Sequence, residues 1–158
     1  MKYRQLTKEQ FEGLHEEFAH FLASQSIDAK EWNQIKQDKP HVAEEEMNVF
    51  SDVVWDDVLN RTEYLEHFSS NIINLFKSDE TRIHRIVIQI SNNDINLMEK
   101  DGYEWLLKNA QDPSVEILQG NKAYQNERNT EIFDLIEKGS NISKGELFEY
   151  FKSLISDS

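Results

Sequence analysis

Apolar positions recur at three- and four-residue steps through the first half of the chain. Phe11, Leu14, Phe18, Phe21 and Leu22 form one stripe, the mark of an amphipathic helix near 8–24. Thr7-Lys8-Glu9-Gln10 opens it with a capping-box pattern. Asp28-Ala29-Lys30-Glu31 repeats that pattern, with Ile27 and Trp32 spaced as a hydrophobic staple, and predicts a short second helix. Pro40 ends it, because the residue before proline is pushed out of the helical region. A third and longest helix is expected over 41–66, with Ala43, Met47, Phe50, Val54, Val58 and Leu65 as its buried stripe. At 100° per residue these six fall within an arc of about 80°.

The pattern changes after residue 67. Leu65, Phe68, Ile72, Leu75 and Phe76 could continue a helix, but Ser69-Ser70-Asn71 breaks it and Ser78-Asp79-Glu80 reads as a turn. A hairpin is expected, with strands at 71–77 and 81–90. Ile83, Ile86, Val87, Ile88 and Ile90 make the second strand the densest β-branched run of the chain. Its continuity suggests burial on both faces. A helix near 100–110 (Tyr103, Leu106, Leu107, Ala110), a short strand at 115–118 and a turn at Gln119-Gly120-Asn121 follow. A helix near 122–138 carries Tyr124, Ile132, Phe133, Leu135 and Ile136, with Gly139 fitting its C-terminal cap. Ser143-Lys144-Gly145-Glu146 opens a terminal helix with Leu147, Phe148, Phe151, Leu154 and Ile155 on one face. The helix at 100–110 would carry a right-handed crossover between parallel strands 81–90 and 115–118.

The fold expected is therefore α+β. A three-helix N-terminal part (1–67) packs on a small mixed sheet of about three strands flanked by C-terminal helices (68–158), as one domain over 1–158. A length of 158 residues fits that reading. So does the absence of repeats, low-complexity tracts and Gly/Ser linkers.

Composition removes several classes of function. The 38% hydrophobic fraction is below the usual average, but 11% aromatic content suffices for a core. Without cysteine there is no disulfide, thiolate zinc site, iron–sulfur cluster or cysteine nucleophile. No apolar run approaches the length of a membrane span, and Met1-Lys2-Tyr3-Arg4-Gln5-Leu6 lacks the apolar region of a secretory signal. A net charge of −13 repels phosphate backbones and argues against nucleic acid.

That charge is concentrated. Residues 41–66 hold eight acids (Glu44, Glu45, Glu46, Asp52, Asp56, Asp57, Glu63, Glu66) against one cation, Arg61. Glu45, Asp52, Asp56 and Glu63 share one face of the expected helix, and paired helical carboxylates can hold Mg²⁺ for phosphoryl chemistry. Yet the quartet centres roughly 170° from the apolar stripe, where solvent-facing charge sits. A solvated or partner-facing surface is the expectation. Trp55, Val49 and Val53 lie off the stripe beside these acids, and Trp is a favoured interface anchor. Covering by the first two helices is the plainer explanation.

Other constellations fall short. His15 and His20 superficially suggest the zinc-protease HExxH, but stand five apart, about 140° around a helix, and cannot share a metal. His15 edges the apolar stripe as a hydrogen-bonded boundary residue. His41, His67 and His84 are scattered. There is no GxSxG elbow, GxGxxG or P-loop. Arg82, Arg85 and Arg128 could form a small anion site, although edge protection and ion pairing explain them more simply.

Six segments occur in a telling order: Tyr64-Leu65-Glu66-His67-Phe68, Ile73-Asn74-Leu75-Phe76-Lys77, Arg85-Ile86-Val87-Ile88, Gly102-Tyr103-Glu104-Trp105-Leu106-Leu107, Ile132-Phe133-Asp134-Leu135-Ile136-Glu137 and Ile142-Ser143-Lys144-Gly145-Glu146-Leu147. The pattern resembles an uncharacterised family of short acidic cytosolic proteins from flavobacteria and related Bacteroidetes, over most of the chain. The resemblance implies a bacterial, cytoplasmic, single-domain protein and carries no catalytic residue across.

The function expected is non-enzymatic protein interaction or regulation. Glu45, Asp52, Trp55, Asp56 and Glu63 are the candidate contact residues. Their partner would be a protein with a basic or mixed apolar–basic surface, with a homodimer open and no membrane, cofactor or metal. The alternative is a divalent-metal-dependent hydrolase of a nucleotide or small phosphate. That would use carboxylates among Glu44, Glu45, Asp52, Asp56, Glu63 and Glu66. A nucleic-acid decoy is a weaker third reading.

Overall fold

The computed structural model describes residues 1–156. It divides into two compact units, Met1–Asn60 and Arg61–Ser158.

The first unit is helical: α1 (Lys8–Gly13), α2 (His15–Ala23), α3 (Ala29–Asp38) and α4 (Pro40–Arg61). The single helix expected over 8–24 is therefore two. Gly13 weakens the helix interior, and Leu14 leaves helical geometry at φ −115° and ψ 24°. His15 Nδ1 then lies 3.0 Å from the carbonyl oxygen of Glu12, in reach of a bond to that group. The Thr7 capping box forms as the sequence suggests, and Asp28 accepts from the Glu31 amide at 2.8 Å. Pro40 does not merely stop α3; it occupies the first position of α4, where a missing N–H costs nothing. Phe11, Phe18, Phe21, Trp32 and Phe50 pack as an aromatic cluster, with ring centroids 5.0–6.2 Å apart.

The second unit is a five-stranded sheet with helices. Its elements are β1 (Tyr64–Phe68), β2 (Ile72–Ser78), β3 (Arg82–Ile90), α5 (Lys100–Lys108), β4 (Val115–Ala123), α6 (Arg128–Glu137), β5 (Asn141–Ser143) and α7 (Glu146–Ser156). The strand order is β4-β3-β2-β1-β5, and every pairing is antiparallel. One face carries Ile73, Leu75, Ile86, Ile88 and Ile90. These pack with Leu97, Leu106, Phe148 and Phe151 in one buried cluster fed by α5 and α7.

This α+β architecture corrects the expectation of a three-helix N-terminal part on a mixed sheet of about three strands flanked by C-terminal helices. The described residues hold seven helices and five antiparallel strands. Two strands were hidden. Tyr64–Phe68 reads as the end of a long helix because Leu65 prolongs the stripe of α4. Its pairing with β2 and β5 makes it a strand, and Leu65 is buried there. β5 has only three residues, too few for a period to show. The turn expected at Gln119-Gly120-Asn121 is strand, because β4 stays paired with β3 from Val115↔Ile90 to Ala123↔Arg82. No parallel crossover joins β3 to β4 either, since the two strands pair antiparallel. The chain returns beside its point of departure, where Ser91 N–H donates to the Ser114 carbonyl at 3.0 Å. β4 therefore runs back along β3. Pairing through residue 123 also delays α6 to Arg128 from the expected 122.

Two glycines place the helices on this sheet. A Cβ on Gly102 in α5 would collide with the backbone carbonyl of Asn96. Gly145, just before α7, has φ +85° and lies under the Tyr64 ring. Ser143 does not form the expected capping box, because it belongs to β5; its Oγ accepts from the Gly145 amide at 3.2 Å instead.

Candidate functional site

The acidic helix holds its own ligand. α4 buries Ala43, Phe50, Ser51, Trp55 and Leu59, whereas Met47, Val54 and Val58 of the expected stripe are only half-buried and Leu65 lies in β1. Trp55 therefore belongs to the buried side, 8% exposed, while Val49 and Val53 are 53% and 54% exposed. Beside these buried residues, Asp52 and Asp56 stand one turn apart, and residues 2–4 run across them.

The contacts are specific. The Asp52 carboxylate accepts from two successive backbone amides, Lys2 N–H at 2.7 Å and Tyr3 N–H at 2.9 Å, one on each oxygen. Tyr3 donates its hydroxyl to Asp56 Oδ1 at 2.5 Å, and Lys2 Nζ pairs with the same oxygen at 3.5 Å. The Arg4 guanidinium lies 5.1 Å from the centre of the Trp55 ring. Burial pushes the Tyr3 phenol above its ordinary pKa, and the bond to Asp56 adds to the rise. Next along the segment, Leu6 is buried and its N–H donates to the buried Ser51 Oγ at 2.9 Å. Gln5 Nε2 donates to Glu44 and to Asn48, both at 2.9 Å.

Three of the five candidate contact residues are brought together. Asp52, Trp55 and Asp56 meet around residues 2–4. Glu45 is exposed on α4. Glu63 lies beyond the end of α4, and its backbone carbonyl accepts from Ser78 N–H at 2.7 Å. Periodicity identifies Asp52 and Asp56 as neighbours. It does not reveal their occupant, because residues 1–6 carry no periodic signal and lie about 50 positions away. The one hint is compositional: Lys2-Tyr3-Arg4 is cationic and aromatic in an acidic chain.

The alternative metal site lacks a ligand set. Among the described residues, no three His, Asp or Glu side chains gather as metal ligands. Arg82, Arg85 and Arg128 do not converge on an anion either. Arg82 Nε donates to Asn121 at 2.7 Å and Arg85 grips Asn74 at 2.5 and 3.0 Å. Arg128 donates to the carbonyls of Thr62 and Asp79, tying α6 to the ends of the β1–β2–β3 meander.

Besides a cleft of about 330 Å³ beside Tyr150 and Leu154, two further clefts lie in the second unit. The larger, about 590 Å³, has an apolar floor of Phe76, Ile83, Val87, Leu118 and Leu135, with Arg85, Lys122 and Lys138 facing Glu131 and Asp134 around it. Its size suits a small ligand, but its mixed charges select no single class. The smaller, about 280 Å³, is lined by Glu66, Phe68, Tyr103 and the β5–α7 turn. Burial raises the pKa of both Glu66 and Tyr103, and the neighbouring Glu66 and Glu146 raise Tyr103 further. A third cluster escaped the sequence. Tyr64 and Lys77, direct cross-strand partners, converge on Glu149 Oε1 of α7 at 2.8 and 3.1 Å. These bonds lower the pKa of Glu149, and its carboxylate raises that of Lys77.

No described helix is long and apolar enough to cross a membrane. Neither a curated protein nor a solved structure matches the chain. A family model does match, over residues 1–156, and the chain belongs to that family, a family of unknown function (DUF6495).

Proposed function

We propose that the chain is a non-enzymatic, cytoplasmic protein-interaction protein whose α4 face takes up a short, bent basic–aromatic segment. Residues 2–4 are its intramolecular occupant. One observation carries this reading: both oxygens of Asp52 accept consecutive backbone amides of a segment that bends at Tyr3, which turns both N–H groups towards the helix. Such a fork reads main chain, so it accepts any segment that can lie there. Selectivity then comes from the neighbours. Asp56 takes a phenol and an ammonium, and Trp55 takes a guanidinium over its ring. The order cation–aromatic–cation is the recognition pattern, and the fitting partner is a protein with a basic or mixed apolar–basic surface.

The occupant in cis lowers the apparent affinity for any partner, because the face must first be vacated. The test follows from that competition. A fluorescein-labelled peptide of sequence Met-Lys-Tyr-Arg-Gln-Leu is titrated with wild-type protein and with a Lys2→Glu/Tyr3→Ala/Arg4→Glu variant, reading anisotropy. The released variant should bind at least tenfold more tightly than wild type, and adding Asp52→Asn with Asp56→Asn should abolish that binding. A released, folded variant that binds the peptide no better than an acidic control peptide sinks the proposal.

A further inference from the structure

β4 is the unprotected edge of the sheet. It runs nine residues, and among the described residues no strand pairs with its outer side. Natural edges of that length are usually shortened, covered or interrupted by proline, since their free N–H and C=O groups template further pairing. The opposite edge follows that practice, with a strand of three residues. β4 does not. Glu116 and every residue from Leu118 to Ala123 are exposed, Leu118 at 50%. The charges on this edge are one acid near its start and one cation near its end, Glu116 and Lys122. Neither has an ion-pair partner among the described residues.

We propose that the outer edge of β4 is a homodimer surface, on which a second copy of the chain pairs β4 with β4, antiparallel, about a two-fold axis through Gln119. The symmetry restricts the register sharply. Antiparallel edge pairing about a two-fold keeps each sheet face continuous, so only residues on the same face stand opposite one another. Centring on Gln119 pairs the strand from end to end: Val115 with Ala123, Glu116 with Lys122, Ile117 with Asn121, Leu118 with Gly120, and Gln119 with itself. Each acid meets the partner's cation, twice per dimer. Shifting the centre to 118 or 120 keeps face continuity but takes Glu116 away from Lys122. The same register also suits shape. Nothing lies within 4 Å of the place a Cβ would take on Gly120, so the partner's exposed Leu118 has room there. That position is on the rim of the 590 Å³ cleft, which both Leu118 and Gly120 line. The partner's Leu118 would extend the apolar floor of that cleft across the two-fold. Lysine on an edge ordinarily discourages pairing; here the register answers it with a carboxylate.

The test is sedimentation of the full chain at 1–500 μM. Wild type should show a monomer–dimer equilibrium. Glu116→Lys and Lys122→Glu, each placing like charges opposite one another twice, should each raise the dissociation constant by about tenfold or more. An equimolar mixture of the two variants should restore dimers, because every cross-strand pair in the mixed dimer is again of opposite sign. A misfolded variant would not be rescued this way, so the mixture separates lost pairing from lost fold. In a chain without cysteine, Gln119→Cys should oxidise to a covalent dimer, while Ile142→Cys on the β5 edge should not. Overturning results are a wild type that stays monomeric throughout, single variants as dimeric as wild type, or a mixture no more dimeric than its components. Capture of an extended peptide of another protein by a strictly monomeric chain would equally overturn it.

Discussion

Asp52 holds Lys2 by its backbone amide, at 2.7 Å, across 50 positions of sequence. The adjacent amide of Tyr3 takes the other oxygen at 2.9 Å. Charge-assisted bonds of this kind contribute about 1.5–3 kcal/mol each when shielded, and these two are only partly shielded. Asp52→Ala should therefore cost roughly 1–3 kcal/mol in urea unfolding, and free residues 1–6 for early proteolysis. Asp52→Asn keeps an acceptor and should cost less. A cut site within residues 1–6 that is equally protected in wild type and Asp52→Ala would refute the clamp.

Ser51 serves the same segment from the buried side. Its Oγ donates to the Met47 carbonyl at 2.7 Å and accepts from Leu6 N–H at 2.9 Å, and the residue is fully buried. Ser51→Ala leaves the Leu6 amide without that acceptor, a loss of about 1–3 kcal/mol. Asn48→Ala, which removes only a partly exposed partner of Gln5, should cost under about 1 kcal/mol. Equal losses for the two, measured by thermal unfolding, would contradict this account.

The contrast between these residues shows what a sequence exposes. Helix periodicity made α4 and its acids legible, but not its buried seam. Of the expected stripe only Ala43 and Phe50 are buried on α4, and Ser51, Trp55 and Leu59 complete the seam because the other helices of the unit cover that side. The hairpin strands at 72–90 were legible from their dense β-branched run and the turn residues Ser78-Asp79-Glu80 between them. What stayed hidden depends on partners distant in sequence. Tyr64–Phe68 becomes a strand only by pairing with β2 and β5, and Gln119–Ala123 only by pairing with β3. Likewise, nothing near Lys2 announces that Asp52 will receive it, so the solvated acid row and the clamped acid row look alike until the chain is folded.

Gly102 and Gly145 should respond differently to the same substitution. At Gly102 the added methyl meets a backbone carbonyl, that of Asn96, which no rotamer change can withdraw. Gly102→Ala should cost about 3 kcal/mol or more, beyond the usual range for overpacking a core. At Gly145 the obstacle is the Tyr64 ring, together with a φ of +85° that costs an alanine about 1–2 kcal/mol. Combining Gly145→Ala with Tyr64→Ala should therefore be less damaging than the sum of the two singles. Additive losses, in a double-mutant cycle by urea denaturation, would show that the ring is not the obstacle.

Acid should loosen the β2–β3 turn through one carboxylate. Asp79 accepts from His84 Nε2 at 3.0 Å, from the Arg82 amide at 2.6 Å and from the Thr81 amide at 2.9 Å. The bond to His84, then those two amides, lower its pKa from 3.8 to about 2. The folded state thus binds this proton less readily than the unfolded chain. The stabilisation is complete above the unfolded value near pH 4 and fades as pH falls towards about 2. Asp79→Asn removes the titrating group and keeps one acceptor. The stability difference between wild type and Asp79→Asn, measured by urea midpoints from pH 6 down to pH 2, should be level above pH 4. Below that it should shrink steadily. A difference that is flat across the whole range, or that grows on acidification, would mean that Asp79 is not held ionised by this turn.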